Sequence, residues 1–397
     1  MRVDSVLSEP ENPTSATRGP FMTTTNTKDL ALVMTGGGAR AAYQVGFLRT
    51  ICRLIPDFEP EILTGVSAGA INATFLANTP GPFAERVEGL VDLWSQLEPQ
   101  DVMDVGAIQF GRLMLQWLAR LGSGGRYKGK QGFLDSSPLR KTMTEALGSG
   151  ELRGIMRNID AGRLKSFAVT AASYTTGQTV TFCEGRDIQG WERVNRRSRR
   201  VPLTVEHVMA SAALPFLFPA IALADGWYGD GGIRLTSPFA PAIHLGAHRI
   251  LAISTRRGRT IAEADQPVID AYPPPSRIAS LVLNAIFLDQ LDGDAHNLHR
   301  INELLDHVPE GERGPLRPVD LQVWRPSMDL GELANDYEAR LPWALRFLMR
   351  GTGTKESRSN DFLSMIMFQG DYLSRLVTCG EQDAEERRDE ILAFLGT

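Results

Sequence analysis

The sequence predicts an α/β protein in which helices cover both faces of a mostly parallel sheet. A short apolar run precedes a glycine cluster, helical periodicity follows the cluster, and a second strand and helix repeat this order. Alternating strands and helices are typical of parallel sheets, because each crossover helix buries part of a face. The 397 residues, 43% hydrophobic and 22% charged, are enough for a large core and an accessory segment.

The first strand is predicted at residues 30–34, an apolar run (LALVM) that ends before the glycines at 36–38. A helix is predicted next, because apolar residues recur at spacings of three and four, at Tyr43, Phe47, Ile51 and Leu54. Pro56 ends this helix. A second strand is predicted at 61–64 and a helix of small residues at 68–77, and further strands are expected at 167–171, 179–182 and 250–254.

The chain divides by composition into three parts. Residues 1–28 are polar and lack an apolar signal region, so they are predicted to be a disordered lead. An α/β core is expected at 29–256, with an apolar insertion at 102–121. A mainly helical extension is expected at 257–397, with helices at 278–291 and 342–350. The apolar stretch 208–224 is short and contains two prolines, which favours buried core over a membrane span.

Charge and cysteine content limit the function classes. A net charge of −5 argues against a nucleic-acid partner. The three cysteines are widely separated and form neither a disulfide framework nor a metal pattern. A reducing compartment is the simplest interpretation, and we expect a cytoplasmic protein, with its oligomeric state left open.

Residues 65–69 (GVSAG) form a G-x-S-x-G motif between a predicted strand and a predicted helix. A nucleophilic serine at such a sharp turn has a strained backbone, and the glycines Gly65 and Gly69 would relieve clashes on either side of Ser67. A glycine-rich turn without catalytic function is the alternative interpretation. The triglycine loop, Gly36, Gly37 and Gly38, strengthens the catalytic interpretation, because it could present consecutive backbone N–H groups as an oxyanion hole.

The same loop also fits a dinucleotide-binding fingerprint, G-x-G-x-x-G/A, with Ala41 at its last position. That fingerprint requires an acidic residue at the end of the second strand, where this chain has the Ser67 motif instead. The dinucleotide interpretation is therefore the weaker of the two.

A nucleophilic serine needs a base, and none of the six histidines lies in an obvious catalytic motif. Asp230 is the other candidate, in the sequence YGDGG, provided that burial raises its pKa. Asp292, Asp294, His296 and His299 could be drawn as a metal cluster, but a solvated helix face is the favoured interpretation. We therefore expect neither a metal nor a cofactor.

Three blocks in order resemble the patatin-like phospholipase family: residues 36–46 (GGGARAAYQVG), 65–70 (GVSAGA) and 230–232 (DGG). Residues 210–219 (ASAALPFLFP) also resemble its bacterial members, and Ala41 departs from the glycine that many relatives carry there. The resemblance, over about residues 30–255, implies a three-layer α/β/α sandwich and a Ser67–Asp230 dyad without histidine. It also implies that the amides around Gly37, Gly38 and Ala39 hold the oxyanion and that Arg40 occupies the family's arginine position.

The expected activity is hydrolysis of carboxylic esters in phospholipids or lysophospholipids. Peripheral membrane contact is a weaker expectation, based on the insertion around Trp117, the arginines at 193–200 and the segment 341–350. Two alternatives stay open. One is a Ser-His-Asp hydrolase that uses His244 or His248, and the other is a lipid- or nucleotide-binding protein that is not an enzyme.

Overall fold

The computed structural model describes residues 29–103, 134–215, 217–258, 260–265, 290–341 and 361–396, with 278, 281–282, 284–285 and 346 between these ranges. Within these residues ten strands form one sheet. They are β1 (Leu30–Met34), β2 (Ile62–Val66), β3 (Ser166–Ser173), β4 (Thr179–Gly185), β5 (Glu192–Arg193), β6 (Arg196–Arg200), β7 (Ile221–Leu223), β8 (Gly226–Asp230), β9 (Arg249–Ile253) and β10 (Asp320–Trp324).

The sheet order is β10-β9-β1-β2-β3-β4-β6-β5, with β8 paired to the end of β3 and β7 paired to β8. Strands β10, β9, β1, β2 and β3 run parallel, whereas β4 and β8 run antiparallel to β3. The predicted mostly parallel sheet is confirmed, and the five predicted strands correspond to β1, β2, β3, β4 and β9. Strand β10 was not predicted, since it lies in the part of the chain expected to be mainly helical.

The described helices are α1 (Ala41–Leu54), α2 (Ala68–Asn78), α3 (Phe83–Gln96), α4 (Pro99–Val102), α5 (Ser137–Leu147), α6 (Arg153–Asp160), α7 (Val205–Ser211), α8 (Ala240–His244), α9 (Ile261–Ala264), α10 (Gln290–Asp306), α11 (Leu330–Asn335), α12 (Asp361–Ile366), α13 (Gly370–Glu386) and α14 (Arg388–Leu395). Both helices predicted in the first half of the chain, α1 and α2, are present.

Two cores flank the sheet, and β1 contributes to both. Its residues Leu30, Leu32 and Met34 join the larger core with α1, α2, α3 and α13. Its alternate residues Ala31 and Val33 join the smaller core with α8 and α10. Because successive side chains of a strand point to opposite faces, this division confirms the three-layer α/β/α architecture.

The C-terminal helices pack closely on the α/β layers. Helix α13 crosses α1 where each helix carries a glycine. A Cβ atom at Gly46 would overlap the carbonyl oxygen of Val377, and one at Gly380 would overlap that of Tyr43. The two backbones therefore touch, and this contact brings the end of the chain next to the glycine loop that precedes α1.

Several sequence predictions lie outside the described residues: the lead at 1–28, most of the insertion at 102–121 with Trp117, part of the helix at 278–291, and nearly all of 342–350. The apolar stretch 208–224 contains the end of α7 and strand β7. Among the helices that the structure describes, none has the length and apolar character needed to cross a membrane.

Candidate active site

Ser67 occupies a strained turn between β2 and α2. Its backbone has φ 57° and ψ −133°, a left-handed conformation that a residue with a side chain adopts only when its surroundings impose it. The surroundings here are tight. A Cβ atom at Gly65 would lie 2.5 Å from the carbonyl oxygen of Gly69, and one at Gly69 would overlap the carbonyl oxygen of Met34. Both flanking glycines are therefore required by close backbone approach.

A second serine supports this turn. The backbone N–H of Ser67 donates to Oγ of Ser211 at 3.0 Å, and the Ser211 hydroxyl donates to the carbonyl oxygen of Thr170 at 2.6 Å. Ser211 is fully buried. No motif in the sequence indicates this role for Ser211, whose position within the block at 210–219 was the one signal that could have pointed to it.

The register of the sheet places Asp230 beside Ser67. Thr170 is the last residue of β3 that pairs with β2, opposite Val66, and the next residue, Ala171, pairs with Asp230 of β8. Because β4 occupies the other side of β3, β8 lies on the same side of β3 as β2, and its last residue, Asp230, is next to the end of β2. The turn that follows β2 therefore meets the end of β8.

The two carboxylate oxygens of Asp230 have different environments. Oδ1 accepts the backbone N–H of Gly232 at 2.8 Å, whereas Oδ2 makes no hydrogen bond of standard geometry within the described residues. Burial raises the pKa of Asp230 to about 7, and the hydroxyl of Ser67 and the N–H of Gly232 lower it to a lesser extent. Ser67 is thus close enough to interact with a carboxylate that can exchange a proton near neutral pH.

The glycine loop lies against Ser67. A Cβ atom at Gly36 would be 2.9 Å from Cβ of Ser67, and Gly37 and Gly38 have φ angles of 154° and 58°, which favour glycine. The loop leads into a 3-10 helix at Gly38–Arg40. The first N–H groups of a helix have no partner inside it, so the amides of Gly38 and Ala39 are the available donors at this position.

Arg40 differs from the other residues predicted for the oxyanion hole, because both its backbone N–H and its side chain have partners inside the protein. Its backbone N–H donates to the carbonyl oxygen of Gly37 at 3.2 Å. Its guanidinium, 2% exposed, donates through Nη2 to Oδ1 of Asp361 and through Nε to Oγ of Ser364, at 2.5 and 2.6 Å. The charge of Arg40 is therefore paired inside the protein, with partners that the sequence analysis did not identify.

Thr255 is a further residue that the sequence analysis missed. Its Oγ1 donates to the carbonyl oxygen of Gly36 at 2.7 Å, and a Cβ atom at Gly37 would overlap Oγ1. Thr255 follows β9 and is almost fully buried. The residue that follows the end of β9 therefore also holds the glycine loop in place.

A largely apolar cavity adjoins Ser67. Its lining includes Ser67 and Gly38 together with apolar side chains such as Trp94, Leu214 and Phe368. The cavity is partly open to solvent. Its apolar lining suits a hydrocarbon chain better than a charged or sugar-like ligand.

The histidines proposed for a triad lie elsewhere. Nδ1 of His248 is 3.1 Å from the carboxylate of Asp29. Asp29 precedes β1, whereas Ser67 follows the parallel strand β2, so the two lie at opposite ends of the strands. His244 stacks on Trp191, with the ring centroids 4.6 Å apart. No histidine is among the groups that shift the pKa of Asp230. The geometry therefore favours the dyad over the Ser-His-Asp alternative.

Three of the four side chains of the possible metal cluster, those of Asp292, Asp294 and His299, have other partners. Asp292 forms an ion pair with Arg325, and Asp294 accepts the backbone N–H of Phe239 at 2.9 Å. His299 pairs with Glu303 on the same helix. Within the described part of the chain, no group of three His, Cys, Asp or Glu residues is arranged to hold a metal ion.

Residues 32–243 match the family model described as patatin-like phospholipase, which is more than half of the chain. No curated protein sequence matches this chain. Among solved structures, the chain is similar to human GIVD cytosolic phospholipase A2, at 11% identity and a TM-score of 0.44, with 92% of this chain and 62% of that chain covered.

A second similar structure is VipD from Legionella pneumophila, at 12% identity and a TM-score of 0.36, with 91% of this chain and 66% of that chain covered. The chain spans about two thirds or less of the length of these two proteins. At such identities and scores, the likeness carries no functional argument.

Proposed function

The chain belongs to the patatin-like phospholipase family, and on that premise we propose that it hydrolyses carboxylic esters of phospholipids or lysophospholipids through a Ser67–Asp230 dyad. One observation carries the proposal. A serine in a strained strand-to-helix turn adjoins a fully buried aspartate whose pKa is raised to about 7. This arrangement supplies a nucleophile and a base without histidine.

In the proposed reaction, Oδ2 of Asp230 accepts the hydroxyl proton of Ser67 while Oγ attacks the acyl carbonyl carbon. The amides of Gly38 and Ala39 donate to the oxyanion that forms. The bond to the leaving alcohol then breaks, and Asp230 returns its proton to that alcohol. A water molecule, deprotonated by Asp230, attacks the acyl-serine and releases the fatty acid and the free Ser67 hydroxyl.

The cavity supports an acyl lipid as the substrate. It reaches Ser67 and Gly38 and is otherwise lined mainly by apolar side chains. Burial of a lipid acyl chain in such surroundings stabilises the complex by roughly 0.8 kcal/mol per methylene. The chain would therefore enter the cavity and hold its ester carbonyl between the nucleophile and the glycine loop.

The histidine variants test the dyad against the triad. His244→Ala and His248→Ala are each expected to keep wild-type hydrolysis of an acyl lipid and wild-type labelling of Ser67 by a fluorophosphonate, because neither imidazole reaches the dyad. Mass spectrometry locates the label, and a lipid panel measures hydrolysis. Collapse of activity in either properly folded variant would favour the triad. Folded wild-type protein that fails to label would favour a binding protein that is not an enzyme.

We also propose a membrane-facing rim, formed by the β3–β4 turn, the β5–β6 turn and the start of β8. It lies just beyond the edge of the sheet that carries Asp230, because Tyr174 follows β3 and donates its N–H to the carbonyl of Trp227. Tyr174, Val194 and Trp227 are 48%, 88% and 56% exposed. Residues 192–200 add five arginines and one glutamate, and Asp225 pairs with two of these arginines, Arg197 and Arg199. Aromatic and basic side chains together favour an anionic lipid surface.

Vesicle binding tests the rim. Trp227→Ala is expected to weaken binding to vesicles that contain an anionic phospholipid by roughly tenfold, because a large apolar side chain no longer enters the interface. Co-sedimentation measures the binding, and Leu304→Ala removes a side chain of similar exposure, 64%, from α10 as the control. Equal binding of both variants and the wild type, or equal binding to neutral vesicles, would contradict the proposal.

A further inference from the structure

The C-terminal segment at residues 361–368, which contains α12, touches the glycine loop directly. Gly38 has φ 58°, and a Cβ atom there would overlap the carbonyl oxygen of Met365. A residue with a side chain at position 38 would therefore displace one of the two backbones. This segment lies far outside the residues 32–243 that match the family model, so the family assignment does not account for it.

Polar contacts join the same segment to the loop through Arg40. The guanidinium donates to Asp361 and Ser364 at 2.5 and 2.6 Å. Both acceptors are themselves fixed, since the Ser364 hydroxyl donates to the carbonyl of Asp361 at 2.7 Å and Nδ2 of Asn284 donates to Oδ2 of Asp361 at 2.5 Å. Burial acts to raise the pKa of Asp361, but Arg40 and Asn284 hold it below its ordinary value.

The burial of this ion pair makes it a rigid connection. Arg40 is 2% and Asp361 is 15% exposed, so little water can replace either partner. A buried charge that loses its partner is strongly destabilising, so the guanidinium of Arg40 stays beside the carboxylate of Asp361. Because Arg40 is the last residue of the 3-10 helix that begins at Gly38, anchoring its side chain also anchors the Gly38 and Ala39 amides.

The segment reaches the cavity as well. Ile366 and Phe368 line it together with Ser67 and Gly38, and the ring of Phe368 stacks on Trp94 with centroids 6.4 Å apart. One short piece of chain therefore contacts the amide donors, their arginine anchor and the apolar wall.

We propose that the segment at residues 361–368 completes the active site, with Asp361 as a positioning residue that holds the oxyanion-loop amides in place through Arg40. The inference rests on the proposed ester hydrolysis for its effect on rate, but the placement of the loop can be measured separately. Asp361 does not touch the substrate in this scheme, so its removal changes the alignment of the donors and leaves the dyad in place.

Asp361→Asn removes the charge and keeps the size of the side chain. We expect kcat for a water-soluble p-nitrophenyl ester to fall on the order of tenfold to a hundredfold with KM nearly unchanged, as for small misplacements of catalytic groups. Hydrogen exchange of the peptide that covers residues 36–46 should become faster. Asp306→Asn, an exposed aspartate at the end of α10, is the charge-matched control and should change neither quantity.

Ser364→Ala removes the acceptor of the Arg40 Nε–H and the hydroxyl that donates to the carbonyl of Asp361, but it keeps the Arg40–Asp361 ion pair. It is the second variant if Asp361→Asn does not fold. It should produce the same two changes with smaller amplitude. The inference is overturned if folded variants keep the wild-type kcat and the wild-type exchange rate at low temperature. A lower unfolding temperature alone would show only that the contact stabilises the fold, and it would not rescue the inference. If the wild type hydrolyses no ester, the proposed function fails, and the exchange experiment still decides whether Asp361 positions the loop.

Discussion

Ser67→Ala and Asp230→Asn are each expected to lower kcat/KM for an acyl ester by at least about a thousandfold, as loss of a nucleophile or its base does in other serine hydrolases. Alanine leaves no oxygen to form the acyl-enzyme. Asparagine keeps the shape of Asp230 and the acceptor for the Gly232 N–H, but it cannot take a proton. Because the two residues act as one unit, the double variant should be little worse than either single variant.

Two matched variants control for the loss of a buried polar group. Ser166→Ala removes another buried hydroxyl, which has no hydrogen-bond partner within the described residues. Asp294→Asn removes another carboxylate that accepts a backbone N–H and whose pKa burial raises. Both should retain wild-type hydrolysis of a phospholipid and lysophospholipid panel. Wild-type hydrolysis in folded Ser67→Ala or Asp230→Asn protein would defeat the dyad assignment.

The second large effect is the dependence of activity on pH. Burial raises the pKa of Asp230 to about 7, and only the carboxylate form can accept the Ser67 proton. We therefore expect kcat/KM to be constant above about pH 7 and to fall about tenfold for each pH unit below it. Rates with a water-soluble ester between about pH 5 and pH 9 measure this profile. A rate that stays constant from about pH 5 to pH 8 would contradict it.

The same pKa shift predicts how stability depends on pH. The folded pKa of Asp230, about 7, lies above the ordinary aspartate value of 3.8, so the folded state holds the proton more tightly than the unfolded state. Protonation thus stabilises the fold fully below about pH 3.8, and this contribution is lost as the pH rises through about 7. The shift corresponds to a loss on the order of 4 kcal/mol across that range.

Asp230→Asn mimics the protonated form at every pH. At about pH 8 its free energy of unfolding is expected to exceed that of the wild type, and the difference should shrink towards zero near pH 4. Denaturant titrations of both proteins at several pH values measure this difference. The variant would then be more stable and inactive, which would show that the buried carboxylate lowers stability in order to serve as a base. A variant less stable at pH 8 would contradict the assigned shift.

Local sequence predicted the elements around Ser67 well. Strand β1, helix α1 and helix α2 follow from apolar periodicity and from the glycines and prolines that bound them, signals that act within a few residues. The strained turn at Ser67 could also be anticipated, because Gly65 and Gly69 stand where a side chain would clash. Strand β10 could not, since its pairing with β9 is set by long-range packing and it lies in a part of the chain that was expected to be mainly helical.

The sequence by itself determined which chemical groups were available: a serine in a glycine-flanked turn, a triglycine loop and an aspartate followed by two glycines. Tertiary structure alone decided how they meet. Strand β8 takes over the edge of β3 where β2 ends, which puts Asp230 at Ser67 and buries it enough to raise its pKa. The tertiary structure also decided that Arg40 pairs with Asp361, because contacts between distant segments depend on packing that no local sequence pattern predicts.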